Sequence, residues 1–107
     1  MALEVLEVAL EMIGALKAPL GSLRQSNRDL ADQVQRAGSS VAMNIAEGAG
    51  RVGKDRPHHY RVGAGSNLEV AAGLRVAVAW GNLDAAEVQH ALGLGRRVGA
   101  MLWRMTH

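Results

Sequence analysis

The feature that most constrains this chain is the spacing of its apolar residues, which recur every three or four positions in four successive segments. Residues three and four apart lie on the same side of a helix, so this spacing predicts amphipathic helices. The first is predicted over residues 2–25, with a core stripe of Leu3, Leu6, Leu10, Ile13, Leu16, Leu20 and Leu23. Because the stripe continues past Pro19, we expect one helix with a kink near that residue.

Three further helices follow the same pattern. The second is predicted over about residues 29–47, after a turn of cap-type residues at 26–29, and ends at the glycine-rich loop 48–53. The third begins near Asp55, which can cap it, and runs to about Trp80. The fourth opens at Asp84, where Glu87 has the spacing of a capping box, and runs nearly to His107.

The composition and the short loops favour one architecture. Aromatic residues make up 3% of the chain and Phe is absent, so the core must be aliphatic and strand-favouring residues are scarce. Helices joined by short loops pack as antiparallel neighbours. We therefore predict an all-α fold, an antiparallel up-down-up-down four-helix bundle that forms a single domain over residues 1–107.

Several functional classes find no support in the sequence. There is no Cys and no apolar run of about 20 residues, so we expect neither thiol chemistry nor a membrane span, and a cytoplasmic location. The glycines of 48–53 resemble a dinucleotide fingerprint, but a helix precedes them instead of a strand. His58 and His59 would point about 100° apart on a helix, which does not suit one metal ion. We expect no catalytic site, cofactor or metal.

One side of the second helix carries a polar stripe, Gln33, Arg36, Ser40, Asn44 and Glu47. Counting outward from the 48–54 loop brings Arg36 level with Glu69 and Ser40 level with Ser66. We therefore predict a partly buried network in which Arg36 pairs with Glu69 and Ser40 faces Ser66, with Gly38, Gly63 and Gly65 permitting close backbone approach. The alternative is an ordinary solvated helix face.

A basic cluster surrounds the second loop, opposed within it only by Asp55. In an up-down-up-down bundle the C-terminal residues lie at the same end as this second loop. The candidate phosphate-binding residues are Arg51, Lys54, Arg56, Arg61 and Arg104, with His58, His59 and His107 nearby. The alternative is a solvated loop end without a ligand.

The third and fourth helices carry more apolar residues than one core needs. The additional residues are Val76, Trp80, Leu94, Met101 and Trp103. Excess apolar surface on a small domain indicates self-association, so these residues are predicted to form an oligomer interface.

Residues 30–51, LADQVQRAGSSVAMNIAEGAGR, closely resemble the four helix bundle protein family. This family includes proteins encoded in intervening sequences of large-subunit ribosomal RNA genes and accessory variability proteins of diversity-generating retroelements. Its pattern is met by Leu30, Gln33, Arg36, Ala37, Ser40, Asn44, Ala46, Glu47, Gly48, Gly50 and Arg51, and later by Gly65, Ser66, Glu69, Leu74, Met101 and Leu102.

The resemblance implies a helical bundle that assembles into a homopentamer. For the retroelement branch it also implies a basic ring that binds RNA or DNA and a reverse transcriptase. The leading hypothesis is thus a non-enzymatic homo-oligomer that contacts nucleic acid, as an accessory to a reverse transcriptase. The alternative is a structural or protein-interaction oligomer with no nucleic-acid role.

Overall fold

The computed structural model describes all 107 residues and contains four long helices. They are α1 (Ala2–Ser26), α2 (Arg28–Ala49), α3 (Asp55–Ala79) and α4 (Ala85–Thr106). Each helix contacts its neighbours in the chain, and α1 also packs against α4, so the four form a closed ring of antiparallel neighbours. The predicted all-α four-helix bundle is confirmed, and it measures 44 × 21 × 19 Å.

The helix α1 continues without interruption through Pro19, as predicted, and buries this proline. Proline has no amide hydrogen and cannot donate to the carbonyl one turn earlier. The kink near Pro19 stays a prediction.

The core stripe of α1 is rotated relative to the prediction. The side facing the core carries Val5, Val8, Ala9 and Met12 before it reaches Leu16, Leu20 and Leu23. Leu3 and Leu10, which the spacing assigned to the core, are 72% and 47% exposed, and Leu6 and Ile13 are partly buried. Two apolar stripes share the first half of α1, and the valines and Met12 occupy the inner one.

The loops define two different ends of the bundle. At one end a single residue, Asn27, joins α1 to α2, and its side chain accepts a hydrogen bond from the Leu30 amide at 3.3 Å. Asn27 Nδ2 also donates to Asn82 Oδ1 at 3.3 Å, which ties this loop to the α3–α4 loop. At the same end, the Asp84 backbone amide donates to Glu87 Oε2 at 2.8 Å in the expected capping box. The longer loop between α2 and α3 lies at the opposite end.

Two of the three glycines predicted to allow close approach of α2 and α3, Gly38 and Gly65, do not lie between these helices. Gly38 faces α1, where an added Cβ would meet Leu16, and nothing lies within 4 Å of a Cβ added at Gly65. Of the three predicted glycines, Gly63 alone is in contact with α2, at an ordinary van der Waals distance from Asn44. One tight contact of α2 with α3 is made at Gly48, against the buried ring of Tyr60.

The residues predicted to form an oligomer interface do not form one surface. Leu94 is 5% exposed and belongs to the core, because it lies on the inner side of α4 between Ala91 and Val98. Met101 is partly buried against that core. Val76, Trp80 and Trp103 are exposed, but the two tryptophans lie near opposite ends of the bundle, and Trp103 stacks on His107 with ring centroids 3.3 Å apart.

The four helices include no segment with the length and hydropathy of a membrane span.

Candidate nucleic-acid interface

The α2–α3 loop and the adjoining helix ends bring together the predicted basic residues. Arg51, Lys54, Arg56 and Arg61 are all exposed there. The Asn67 side chain of α3 donates a hydrogen bond to the Gly95 carbonyl of α4, which places these two residues at the same level of the bundle. Because the two helices are antiparallel, Arg104 lies level with the first turn of α3. The predicted cations therefore share one end of the molecule.

Arg51 and Arg56 are held by partners within this end. The Arg51 Nη2 donates to Glu47 Oε1 at 2.6 Å, one helical turn earlier. Arg56 donates from Nε to the Arg51 carbonyl at 2.9 Å and from Nη2 to the Ala49 carbonyl at 3.4 Å. The last carbonyls of a helix have no partner inside it, so Arg56 caps α2 and fixes the loop.

The chain contains two ion pairs within 4.0 Å, Arg24–Asp32 and Arg51–Glu47. Lys54, Arg61 and Arg104 therefore have no carboxylate within that distance. Their charges are free to attract a phosphate. The same end also contains Asp55 and, at the start of α1, Glu4 and Glu7. Since α1 packs against α2 and α4, these two glutamates lie across the bundle from α3. The positive surface is thus formed by the α2–α3 loop, the start of α3 and Arg104 at the end of α4.

Asp55 does not cap α3. The N-cap position is occupied by Lys54, which makes no side-chain capping bond, and Asp55 lies in the first turn. A carboxylate in the first turn still interacts favourably with the positive end of the helix dipole.

The polar seam between α2 and α3 consists of fewer residues than predicted. The Ser40 and Ser66 hydroxyls are 2.7 Å apart, as the level counting expected. Asn44 Nδ2 donates to the Ser40 carbonyl at 2.9 Å and to Ser40 Oγ at 3.1 Å, and Asn44 Oδ1 lies 3.5 Å from His59 Nδ1. This seam joins the two helices just above the basic loop.

The predicted pair of Arg36 with Glu69 is not formed, and both side chains are exposed. Residues at one level of two helices meet only if both point into the seam, and these two point outward. Glu47 also lies outside the seam, because it pairs with Arg51. The spacing of four between Glu47 and Arg51 is a sequence signal that could have identified this pair.

The guanidinium of Arg51 holds the pKa of the Glu47 carboxyl below its usual value, first by its hydrogen bond and second by its charge. A carboxyl with a lowered folded-state pKa stabilises the fold above its unfolded-state pKa, and this contribution is lost as the pH falls through the folded-state value. Glu47 therefore stays ionised at neutral pH and neutralises part of the charge that Arg51 brings to this end.

We expect the Arg51→Gln variant to raise the Glu47 pKa, because the two largest causes of the lowering, the hydrogen bond and the charge of the guanidinium, are lost. The measurement is an NMR titration of the Glu47 side-chain carboxyl carbon in the wild type and the variant. An unchanged midpoint would contradict the ion pair. Arg28→Gln, at the opposite end of α2, is the control and should leave the midpoint in place.

Comparisons with known proteins show which family the chain belongs to. A family model described as 23S rRNA-intervening sequence protein matches residues 2–104. The chain belongs to this family. The predicted family resemblance is confirmed, and neither this match nor the structural one indicates a catalytic family.

The structural comparison supports the fold of this family member. The bundle is similar to the crystal structure of a protein of unknown function from the S23 ribosomal protein family of Bacteroides thetaiotaomicron VPI-5482. The TM-score is 0.86 at 14% sequence identity, with 95% of this chain and 97% of that chain covered. At this identity the likeness concerns the fold alone. No curated protein matches the chain.

Proposed function

We propose that this protein is a non-enzymatic, self-associating bundle that binds the phosphates of a nucleic acid through the basic end. The observation that carries the proposal is the group of unpaired cations Lys54, Arg61 and Arg104 beside the α2–α3 loop. Such cations release counterions from a nucleic-acid backbone when they bind it. The proposal is also consistent with the family, whose description refers to an intervening sequence of 23S rRNA.

The roles of the basic residues differ in this proposal. Lys54, Arg61 and Arg104 contact phosphates, whereas Arg56 keeps the loop in the conformation that presents them. Arg51 contributes less than a free arginine because Glu47 is 2.6 Å away. Tyr60, in the second turn of α3, is buried and cannot stack on a base, and contacts to phosphates do not read the bases, so binding is expected to depend little on nucleotide sequence.

The salt dependence of binding tests the proposal. We expect labelled RNA or DNA to bind at low ionic strength and to dissociate steeply as salt is added. The variant Lys54→Ala/Arg61→Ala should bind more weakly, and its slope of log K against log salt should fall by about 0.7–0.9 for each phosphate that the variant no longer binds. The measurement is fluorescence anisotropy across a salt series.

The matched control is Lys17→Ala/Arg28→Ala, which removes one lysine and one arginine from exposed positions away from the loop. It should leave the slope nearly unchanged. Equal weakening by both variants would mean that binding is not localised at the basic end. If the wild type shows no salt-sensitive binding, the nucleic-acid role is refuted and the structural oligomer is the better hypothesis.

Glu47→Gln is expected to strengthen binding, because it removes a negative charge and releases Arg51 towards the ligand. The slope of log K against log salt should become steeper by up to about 0.7–0.9, which is the change expected for one additional bound phosphate. Glu69→Gln, which removes the same charge from an exposed position further along α3, should have a smaller effect. Weaker binding by Glu47→Gln would mean that the ion pair itself forms the binding surface.

The proposal includes a reverse transcriptase as a protein partner, on the ground of the resemblance to accessory variability proteins. The gene neighbourhood tests this part separately. An adjacent reverse-transcriptase gene with a variable repeat supports it, and a lone gene within a ribosomal RNA operon argues against it.

A further inference from the structure

A groove of about 730 Å³ runs along the outer surface between α3 and α4. Its wall on α4 extends from Ala85 to Ala100, which is roughly 22 Å at 1.5 Å per residue. Small residues, among them Ala71, Gly95 and Gly99, keep it open enough for another backbone to approach. The groove has the length and the apolar lining that a docked helix requires.

The charged residues of the groove are all of one sign. Arg75 and Arg96 line it, and no Asp or Glu does. Neither arginine has a carboxylate within 4.0 Å in the chain. The groove thus offers two unpaired cations beside an apolar floor.

The outer side of α1 has the complementary chemistry. Leu3 and Leu10 are exposed there, and Leu6 and Ile13 are partly buried beside them, so an apolar ridge extends over roughly 15 Å. Glu4, Glu7 and Glu11 lie on the same half of α1, with no Lys or Arg before Lys17. These three carboxylates have no ion-pair partner in the chain.

We infer that the α3/α4 groove of one copy binds the first half of α1 of a second copy. The ridge of Leu3, Leu6, Leu10 and Ile13 covers the groove, and the glutamates of α1 face Arg75 and Arg96. The ridge is shorter than the groove and fits within it, and its apolar surface and the opposite charge beside it make a second copy the occupant. This inference rests on the self-association in the proposed function and names the surfaces that produce it.

Because the ridge and the groove are different surfaces, the contact between copies is heterologous. Each copy that fills a groove leaves its own groove open for the next copy, so the assembly closes into a ring when the rotation between copies permits. The assembly buries two exposed leucines per copy, which a monomer would leave in water.

Reversal of the charges on each surface tests the pairing. We expect Glu7→Arg/Glu11→Arg and Arg75→Glu/Arg96→Glu each to raise the concentration at which the protein assembles by at least about tenfold, because like charges then face each other. The variant with all four substitutions restores opposite charges and should assemble near the wild-type concentration. Light scattering behind size-exclusion chromatography and sedimentation velocity report the assembly, and circular dichroism verifies that each variant is folded.

A cross-linking experiment gives a second, independent measurement, since the chain contains no cysteine. Mixing Glu7→Cys with Gln89→Cys and adding a short bis-maleimide should join unlike copies and leave each variant alone mostly unlinked. Met43→Cys, on the exposed side of α2, replaces Gln89→Cys as the control and should not react with Glu7→Cys.

The outcomes separate this inference from the proposed function. A wild type that assembles and is unaffected by either reversal would overturn the inference and leave self-association in place. Reversals that dissociate the assembly without rescue in the fourfold variant, together with no cross-link between Glu7→Cys and Gln89→Cys, would also overturn it. A wild type that remains a monomer at tens of micromolar would refute both this inference and the proposed self-association. Nucleic-acid binding is tested separately, by its salt dependence.

Discussion

Replacing Met12 by alanine should lower the free energy of unfolding by about 2–5 kcal/mol, which is the cost of removing a large side chain from a closed core. Met12 is fully buried in α1 and lies against α4 beside Gly95. Domains of this size have a total stability of about 5–15 kcal/mol, so this change should shift the unfolding midpoint by many degrees.

Met43→Ala is the matched control, because Met43 is a methionine on α2 that is 68% exposed. Surface substitutions of this kind change the stability by less than about 0.5 kcal/mol. Urea unfolding of the wild type and both variants, followed by circular dichroism, measures the difference. Equal effects of the two substitutions would mean that the side of α1 that faces the core is assigned wrongly.

Gly48→Ala should destabilise the bundle by about 1–3 kcal/mol, although alanine is normally the better helix former. An added Cβ at Gly48 would lie 2.6 Å from Tyr60 Cε1 and 3.2 Å from the Arg56 carbonyl oxygen. The buried ring and the backbone cannot both move away without separating α3 from α2. Thermal unfolding, read by circular dichroism, gives the effect on the variant.

Gly65→Ala is the control for this substitution, since Gly65 is in the helical part of α3 and has no atom within 4 Å of an added Cβ. There the ordinary helix preference applies, and we expect a stabilisation of about 0.5–1 kcal/mol. The two glycines should therefore respond with opposite signs. A stabilising Gly48→Ala would show that α2 and α3 do not meet at this glycine.

The four helices could be predicted because each apolar segment ends at a residue that stops a helix, such as Asn27 or Gly81. The face of α1 could not be predicted in the same way. Two apolar stripes there have the same three-and-four spacing, one with Leu3 and Leu10 and one with Val5 and Met12. Which stripe faces inward depends on the shape of the opposing helices, and the helical period carries no information about it.

In the candidate site, too, some features could be predicted from the sequence and others could not. The clustering of cations at the α2–α3 loop follows from chain order in an antiparallel bundle, so the sequence was sufficient for it. The capping of α2 by Arg56 depends on the path of the loop, and the pairing of Ser40 with Ser66 depends on side-chain direction as well as level. The same counting placed Arg36 beside Glu69, and there the directions do not agree.

Asn67 shows what one buried amide does to the sliding of one helix along another. Its Nδ2 donates to the Gly95 carbonyl at 2.9 Å, while its Oδ1 has no partner, an arrangement that costs stability. The amide also lies against Gly99, so two glycines of α4 flank it. A shift of α4 by one turn, about 5.4 Å, would replace one of them with Ala91 or Trp103 and bring a side chain onto the amide. Among aliphatic residues that could interdigitate in several alignments, Asn67 thus restricts α3 and α4 to a single register.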